Sequence, residues 1–408
     1  MSATEFFTAL SVSEALAGFR PDRRTGTEQV DRDAALGRVP AAPVTSSAAL
    51  PGFARSTVDG YAVRAADTYG ASDALPAYFD LIGSVRMGTA ADVAVRPGSA
   101  VQVPTGAVIP PEADAVVMVE HTQITMPEVI EVTRPIAVGD GIVRADEDVA
   151  IGAELAPAGR ALRAQDLGLL AAAGVRRVEV CERPRVGVIS TGDEVVPPET
   201  PELSPGQVRD ATASALAALV VEAGGEPSPR GIVPDDPRAL STTLEAATRD
   251  CDVVVISAGS SVGARDETVA AVESLSDARL YCHGLAIKPG KPTLLAERAG
   301  VPIIGLPGNP LSALVVFRMV GLPVLRLVGG ITHPPAEPTT TASMSRAVAS
   351  AAGRLDVVQV RVREGVASPL FGASALLSLL TSADGYVVIP EAATGLDERA
   401  TVTVTMYR

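Results

Sequence analysis

Three short apolar runs, each leading into a glycine-containing loop, place the strongest constraint on the fold of this chain. The runs are Arg185–Ser190, Asp252–Ser257 and Val301–Leu306. Sequence with helical spacing lies between them, near residues 213–223, 237–249 and 268–274. Strands that alternate with helices predict a parallel sheet covered by helices. Ligands of such sheets bind beyond the carboxyl ends of the strands, so a site is expected in these loops.

The sequence on either side of this region predicts β structure. Runs rich in β-branched and aromatic residues lie between Gly/Pro clusters at Tyr78–Val85, Ala100–Val103 and Ala115–Val119. Similar runs close the chain at Val357–Val362, Tyr386–Ile389 and Thr401–Met406. At 408 residues the chain is too long for one compact core. We therefore predict a multidomain α/β plus β protein.

Helices are predicted at three places before residue 181. Ser11 and Glu14 have the spacing of a capping box that opens a short helix. A second helical stretch is predicted over 29–36, and a third over 163–174, where Gly174 suits the C-cap.

Composition narrows the class of protein. Hydrophobic residues make up 47% and charged residues 20% of the chain, which indicates a folded protein. The net charge of −14 argues against nucleic-acid binding, which needs a basic surface. The three cysteines form no CxxC pair, no leader is recognised, and charges interrupt the apolar stretch 310–330. We expect a cytoplasmic protein without a membrane span.

The basic residues are distributed unevenly. Of 34 Lys and Arg residues only Lys288 and Lys291 are lysines, and both lie in one loop. Lysine is a compact point charge suited to phosphate-like oxyanions, and Pro289, Gly290 and Pro292 make the loop rigid. The loop predicts an anion site, although a solvated turn that merely kept its lysines would look the same.

A second candidate is the loop 305–312. Asn309 suits a helix N-cap and Pro310 the first helical position, so the amides there, with the Ser312 hydroxyl, would favour an anion. The same pattern also fits an ordinary strand–turn–helix junction.

A third candidate is the segment 190–194, directly after a strand. Ser190, Thr191 and Gly192 suit hydrogen bonding to a phosphate or ribose, and the following acids suit Mg²⁺. Acidic residues at a helix start are equally common for capping alone.

A fourth candidate is the segment 257–266. Residues 259–263 match the G-x-S-x-G nucleophile elbow with Ser261 as nucleophile. A serine hydrolase would also need a histidine, but His283 follows too closely and His333 lies in a proline-rich linker. A hydrolase is the weakest alternative.

Taken in order, these motifs resemble the molybdopterin molybdenumtransferases, the family of the bacterial molybdate-insertion enzyme and the E domain of gephyrin. The resemblance covers about residues 40 to 400. The segments that carry it are 56–64 (STVDGYAVR), 104–107 (PTGA), 113–120 (ADAVVMVE), 190–194 (STGDE), 206–210 (GQVRD), 257–266, 288–292 (KPGKP) and 305–313 (GLPGNPLSA).

The resemblance implies four domains and a homodimer. They are a helical part from 1–44 and 141–180, a β insertion at 45–140, a molybdopterin-binding α/β domain at 181–327, and a β-barrel-like domain at 328–408. In such a dimer, the β insertion of one subunit completes the cleft of the other. Other molybdenum-cofactor biosynthesis proteins are further expected partners.

The resemblance also implies an activity, the insertion of molybdate into adenylylated molybdopterin with Mg²⁺-dependent release of AMP. Asp266 and Glu194 would act nearest the metal and phosphates, supported by Asp235, and Asp59 would complete the catalytic acids. The remaining residues would bind substrate or anion; they are Lys288, Lys291, Ser312, Thr105, Ser190, Thr191, Gly192, Asn309 and Ser374.

Three positions depart from the family pattern. Ala54 replaces an acidic residue, Ala258 replaces a glycine, and Gln359 stands where an arginine is frequent, although Arg361 is close enough to serve the same space. These departures keep a second interpretation open, a non-catalytic molybdopterin-binding or scaffold paralogue.

Overall fold

A computed structural model of the chain describes residues 9–258 and 262–407, with the side chains of 262–266 excepted. Two of the predicted functional residues fall in the excepted part of the chain. Ser261, the nucleophile of the hydrolase alternative, lies outside the described residues. The side chain of Asp266, the first predicted catalytic acid, is likewise outside the description.

Helices and strands follow one another along the described chain. The helices are α1 (Val12–Gly18), α2 (Ala164–Ala172), α3 (Ala211–Glu222), α4 (Pro237–Asp250), α5 (Val262–Glu273), α6 (Pro310–Val316), α7 (Leu322–Val328) and α8 (Leu377–Ser382). Single-turn 3₁₀ segments occupy Arg32–Ala34, Ala65–Thr68 and Val119–His121, and a π-helical turn, Phe317–Gly321, joins α6 to α7.

The strands before the central sheet are β1 (Thr27–Asp31), β2 (Val44–Thr45), β3 (Arg55–Ser56), β4 (Gly60–Val63), β5 (Ala77–Ser84), β6 (Ser99–Val103), β7 (Ala115–Met118), β8 (Thr122–Met126), β9 (Val129–Val132), β10 (Ile142–Val143), β11 (Glu154–Ala156) and β12 (Arg177–Cys181). The later strands are β13 (Arg185–Thr191), β14 (Val195–Val196), β15 (Val208–Arg209), β16 (Glu226–Val233), β17 (Val253–Ser257), β18 (Ala278–His283), β19 (Ile287–Lys288), β20 (Leu294–Arg298), β21 (Val301–Leu306), β22 (Thr339–Met344), β23 (Val348–Ala349), β24 (Leu355–Arg363), β25 (Val366–Pro369), β26 (Gly385–Ile389), β27 (Gly395–Leu396) and β28 (Thr401–Met406).

The central sheet has the strand order β16-β13-β17-β21-β20-β18. The first four strands are parallel, and β20 and β18 add an antiparallel edge. The three apolar runs of the sequence form the adjacent strands β13, β17 and β21, which confirms the predicted parallel sheet. Sequence reasoning missed β16 because Pro227 and Pro229 interrupt it, and prolines are tolerated in strands chiefly at a sheet edge.

Apolar side chains alternate between the two faces of this sheet. Val253 and Val255 pack in the cluster that includes α3 and the helical run 310–328. Val254 and Ile256 pack in the cluster that includes α4 and α5. Burial on both faces explains why these strands read as continuous apolar runs.

Two larger β units lie outside the central sheet. Strands β7-β4-β6-β5-β9-β8 form the sheet of the insertion. Strands β24-β25-β22-β28-β26 form a five-stranded barrel, closed by pairing of β26 with β24. The predicted fold class, α/β plus β with an inserted β domain and a barrel-like C-terminal domain, is confirmed.

The N-terminal segment differs from its prediction in two ways. Residues 27–31, expected to be largely helical from residue 29, form β1, which pairs with β12, and only Arg32–Ala34 make a helical turn. Short helices are marginal alone, so pairing with a strand about 150 residues away decides the conformation. The capping box of Ser11 and Glu14 is present, but α1 packs against the α/β domain, through Val12 and Ala15.

One helical run in the described part of the chain, 310–328, is long and apolar enough to cross a membrane by length and composition. Its mean hydropathy is 1.9, yet 67% of its apolar window is buried inside the protein. Its contacts with strands of the α/β core are those of a core helix.

Candidate functional site

A cavity of about 830 Å³ lies where the α/β sheet meets the C-terminal barrel. On the sheet side its wall comes from the loops that follow β17 and β21 and from the lysine loop before β20. On the barrel side the wall comes from the start of β24 and the segment before α8. The volume is within the range typical of small-molecule sites. The cavity therefore opens at the carboxyl edge that the sequence pointed to.

The lysine loop is anchored at several points of its backbone. The amides of Leu285 and Thr293 both donate to the Lys291 carbonyl, at 2.9 Å, and the Thr293 hydroxyl donates to the Gly290 carbonyl at 2.7 Å. Gly290 has a φ of +125°, and a Cβ there would lie 2.2 Å from a methyl carbon of Val316. Only glycine fits this position, which brings the loop against the helical run 310–328.

Both lysine side chains are exposed and line the cavity. Lys288 Nζ lies 4.0 Å from Asp356 Oδ2. Among the described residues the Lys291 ammonium makes no ion pair, so it is available to an anion. The two lysines singled out by composition therefore share one cavity.

The loop 305–312 forms the next part of the wall, with Asn309 and Ser312 lining it. Asn309 occupies the N-cap of α6 as expected, but its side chain makes no capping hydrogen bond. The amide of Leu311 donates to the carbonyl of Ser374 at 3.1 Å. This amide, which the sequence argument reserved for an anion, is thus engaged, while Ser374 is fixed beside the cavity.

Gln359 lines the cavity and is buried, and its Oε1 accepts a hydrogen bond from the Tyr407 hydroxyl at 2.5 Å. Burial raises the pKa of Tyr407 to about 12, so this hydroxyl remains a donor at neutral pH. Arg361 was expected to serve the same space. Instead it is absent from the wall, and its Nε donates to the Ser382 carbonyl at 3.3 Å.

Two of the predicted acidic residues, Glu194 and Asp235, lie along the same sheet edge but outside the cavity wall. Asp193 and Glu194 follow β13, and Asp235 follows the neighbouring β16. The Asp235 amide donates to Asp193 Oδ1 at 3.2 Å. Burial, together with the charges of Asp193 and Glu194, raises the pKa of Asp235. Ser190 and Thr191 are buried at the end of β13, with Gly192 beyond them at a φ of +139°.

Asp59 and Thr105 form a pair in the β insertion. One carboxylate oxygen of Asp59 accepts from the Thr105 amide at 2.7 Å and from its hydroxyl at 2.9 Å. These hydrogen bonds lower the pKa of Asp59 and keep it ionised. Neither residue lines the cavity of its own chain.

The structure thus groups the predicted residues into three sets. Five share the cavity: Lys288, Lys291, Asn309, Ser312 and Ser374. A second set, Ser190, Thr191, Gly192, Glu194 and Asp235, lies at the ends of β13 and β16, and the third is the Asp59–Thr105 pair. Sequence reasoning missed Arg354 and Asp356, which also line the cavity. Their signal was weak, because an Arg-Leu-Asp segment at a strand start is ordinary.

The fold is that of a multidomain protein in which a parallel α/β sheet carries a cavity at its carboxyl edge, with a C-terminal barrel forming the opposite wall. Sequence profiles narrow this class. Residues 10–174 match the "MoeA N-terminal region (domain I and II)", 187–327 match a "Probable molybdopterin binding domain", and 341–407 match the "MoeA C-terminal region (domain IV)". The chain belongs to the MoeA family of molybdenum cofactor biosynthesis, and it is an enzyme of the transferase class.

Individual relatives agree with this assignment. The chain is 38% identical to a molybdopterin molybdenumtransferase of Nostoc sp., over 76% of this chain and 71% of that one. It is 31% identical to the Bacillus subtilis protein of the same name, over 98% and 95%. The crystal structure of a molybdopterin biosynthesis MoeA protein from Pyrococcus horikoshii superposes with a TM-score of 0.85 at 32% identity, covering 98% of this chain and all of that one.

Proposed function

We propose that this protein inserts molybdate into adenylylated molybdopterin, with Mg²⁺-dependent release of AMP. The observation that carries the proposal is the cavity at the carboxyl edge of the sheet. It contains both lysines of the chain, together with Ser312 and Ser374. Molybdate is a tetrahedral oxyanion, and such anions are bound by ammonium groups and hydroxyl donors in water-restricted pockets.

The acids along the same edge support a site for the metal and the phosphates. Mg²⁺ is usually held by one or two carboxylates, water and substrate phosphates. Within the described residues no three metal-ligating side chains lie together. Burial is the main cause of the raised pKa of Asp235, and the charges of Asp193 and Glu194 add to it, so carboxylates at this edge would suit a hard cation. Glu194, Asp235 and Asp266 would hold Mg²⁺, which when bound neutralises charge on the phosphates.

The chain's own side chains supply the remaining steps. Lys288 and Lys291 would bind molybdate, with Ser312 and Ser374 donating to its oxygens. Ser190, Thr191, Gly192 and Asn309 would contact the phosphates or the ribose. The ionised Asp59, fixed by Thr105, would orient the substrate from the opposite side of the cleft.

The location of Asp59 leads to a proposal about assembly. Asp59 and Thr105 are absent from the cavity wall of their own chain, so we propose a homodimer in which the insertion of one subunit completes the cleft of its partner. The proposed domain limits are 1–44 with 141–180, 45–140, 181–327 and 328–408. A cytoplasmic location is proposed as well, in keeping with three free cysteines.

The proposal is tested by incubating the protein with adenylylated molybdopterin, Mg²⁺ and molybdate while measuring AMP. We expect AMP release that depends on both molybdate and metal. Asp266→Asn should stop release while leaving the fold and nucleotide binding intact, because a neutral amide is a poor ligand for a hard cation. Binding of the pterin without any AMP release by the wild-type protein would favour the scaffold interpretation instead.

A further inference from the structure

Charged side chains are unequally distributed over the wall of the 830 Å³ cavity. The described wall contains three strong cations, Lys288, Lys291 and Arg354, and one carboxylate, Asp356. In a protein with a net charge of −14, this excess of positive charge is local to the cavity. Lys288 and Lys291 have roles in the proposed reaction, whereas Arg354 has none.

The Arg354 guanidinium is held in one orientation by Asp356. Arg354 Nε donates to Asp356 Oδ1 at 2.8 Å, and Nη2 donates to Oδ2 at 3.3 Å. The Asp356 side chain is 6% exposed, whereas that of Arg354 is 37% exposed. One edge of the guanidinium is thus fixed by a buried carboxylate, while Nη1 makes no hydrogen bond within the described structure.

The same carboxylate connects the barrel to the lysine loop. Strand β19 pairs in parallel with β24, which sets Lys288 opposite Asp356. The Leu355 amide donates to the Ala286 carbonyl at 2.8 Å, and Lys288 Nζ lies 4.0 Å from Asp356 Oδ2. Asp356 therefore lies between a lysine of the α/β domain and an arginine of the barrel.

We propose that Arg354 is a third cation of the oxyanion site and that Asp356 is its positioning residue. This inference rests on the proposed function for the identity of the anion. A guanidinium offers a planar fork that matches two oxygens of a tetrahedral anion, whereas each lysine offers a point charge. The anion is either molybdate or the phosphate of the nucleotide, since both present the same oxygens.

Equilibrium binding of two probes, molybdate alone and AMP alone, distinguishes these sources. The variants are Arg354→Gln, which removes the charge, and Arg354→Lys, which keeps the charge but loses the fork. The matched control is Arg363→Gln, at the far end of β24, which is also paired with a carboxylate, Asp384, but lies outside the cavity wall.

We expect both Arg354 variants to weaken at least one probe about tenfold, and the control to change binding less than about twofold. Weaker binding of molybdate alone assigns Arg354 to the molybdate site. Weaker binding of AMP alone assigns it to the phosphate site of the nucleotide. If the Arg354 variants weaken the binding of neither probe, while Lys291→Arg still weakens the binding of molybdate, this inference is wrong and the proposed function stands. If the wild-type protein binds neither probe, both are wrong.

Asp356→Asn tests the positioning role, because an effect of charge alone and an effect on the orientation of Arg354 predict opposite changes in anion affinity. Removing a negative charge from the wall would strengthen anion binding if only the electric field mattered. If Asp356 orients Arg354, binding should instead weaken, and adding Arg354→Gln should cause little further loss. Stronger binding, or additive losses, would contradict the positioning role. If Asp356→Asn does not fold, Arg354→Lys still tests whether the planar guanidinium, and not only its positive charge, is needed for anion binding.

Discussion

At the scale of single residues, the two lysines are the most informative side chains in the cavity. A chain that uses Arg for 32 of its 34 basic residues holds both of its lysines in one loop. Their ammonium groups are exposed to the cavity, and Gly290 fixes the loop beneath them. We predict that this loop requires compact charges, rather than positive charge alone.

Lys291→Arg tests this requirement, because it retains the charge and changes only the shape of the cationic group. We expect molybdate-dependent AMP release to fall about tenfold or more, equivalent to about 1.4 kcal/mol of transition-state stabilisation. Thermal stability should change little, because Lys291 is exposed and makes no ion pair with the described residues. Lys288→Arg should act in the same direction.

The matched control is the reverse exchange, Arg363→Lys, on the exposed side of the barrel. It should leave AMP release unchanged. Full activity in Lys291→Arg, in Lys288→Arg and in the double variant would show that the loop is an ordinary turn.

At the scale of secondary-structure elements, α2 depends on one buried carboxylate. Asp166 accepts from the Arg163 amide at 2.8 Å and also from the side chains of Arg160 and Arg163. The hydrogen bond from Arg160 is the largest cause of a pKa for Asp166 that lies well below its ordinary value. One side chain therefore ties the first turn of the helix to the segment before it.

Asp166→Asn should lower the free energy of unfolding by about 2–3 kcal/mol at neutral pH, since two arginines lose their partner. Because the pKa of Asp166 is lower in the folded state, this stabilisation is present above the unfolded-state pKa of about 4 and is lost as pH falls through the folded-state pKa. Urea unfolding from pH 7 towards pH 2 should show the two proteins converging. Asp73→Asn, at an exposed position, is the control. A constant difference across this pH range would contradict the linkage.

At the scale of the whole molecule, the position of Asp59 predicts a site that is shared between two subunits. Asp59 is absent from the cavity wall that holds Lys291 in the same chain. We expect light scattering to give about twice the chain mass of 41.7 kDa.

Subunit complementation provides the sharper test of a shared site. Asp59→Asn and Lys291→Ala should each be inactive alone. When the two are mixed and allowed to exchange subunits, heterodimers should regain one intact site, and AMP release should reappear. A fully active monomer, or mixtures that remain inactive despite exchange, would contradict the shared cleft.

The sequence by itself determined the local parts of this protein. Periodicity predicted β13, β17 and β21, the helices between them and the capping box at Ser11, and composition singled out the two lysines that line one cavity. These features depend on neighbouring residues, whose burial and backbone preferences are written in short stretches of sequence. Family resemblance added the domain order and the predicted acids.

Tertiary structure alone decided which distant residues meet. The 29–36 stretch became a strand and a short turn because β12 supplied a pairing partner. Arg354 and Asp356 joined the lysines because β24 pairs with β19, a contact between segments more than 60 residues apart. Arg361 was directed away from the cavity to the Ser382 carbonyl, although its sequence position made it a candidate. Long-range pairing fixes these choices, and the identity of a strand's partner leaves no periodic signal in the chain.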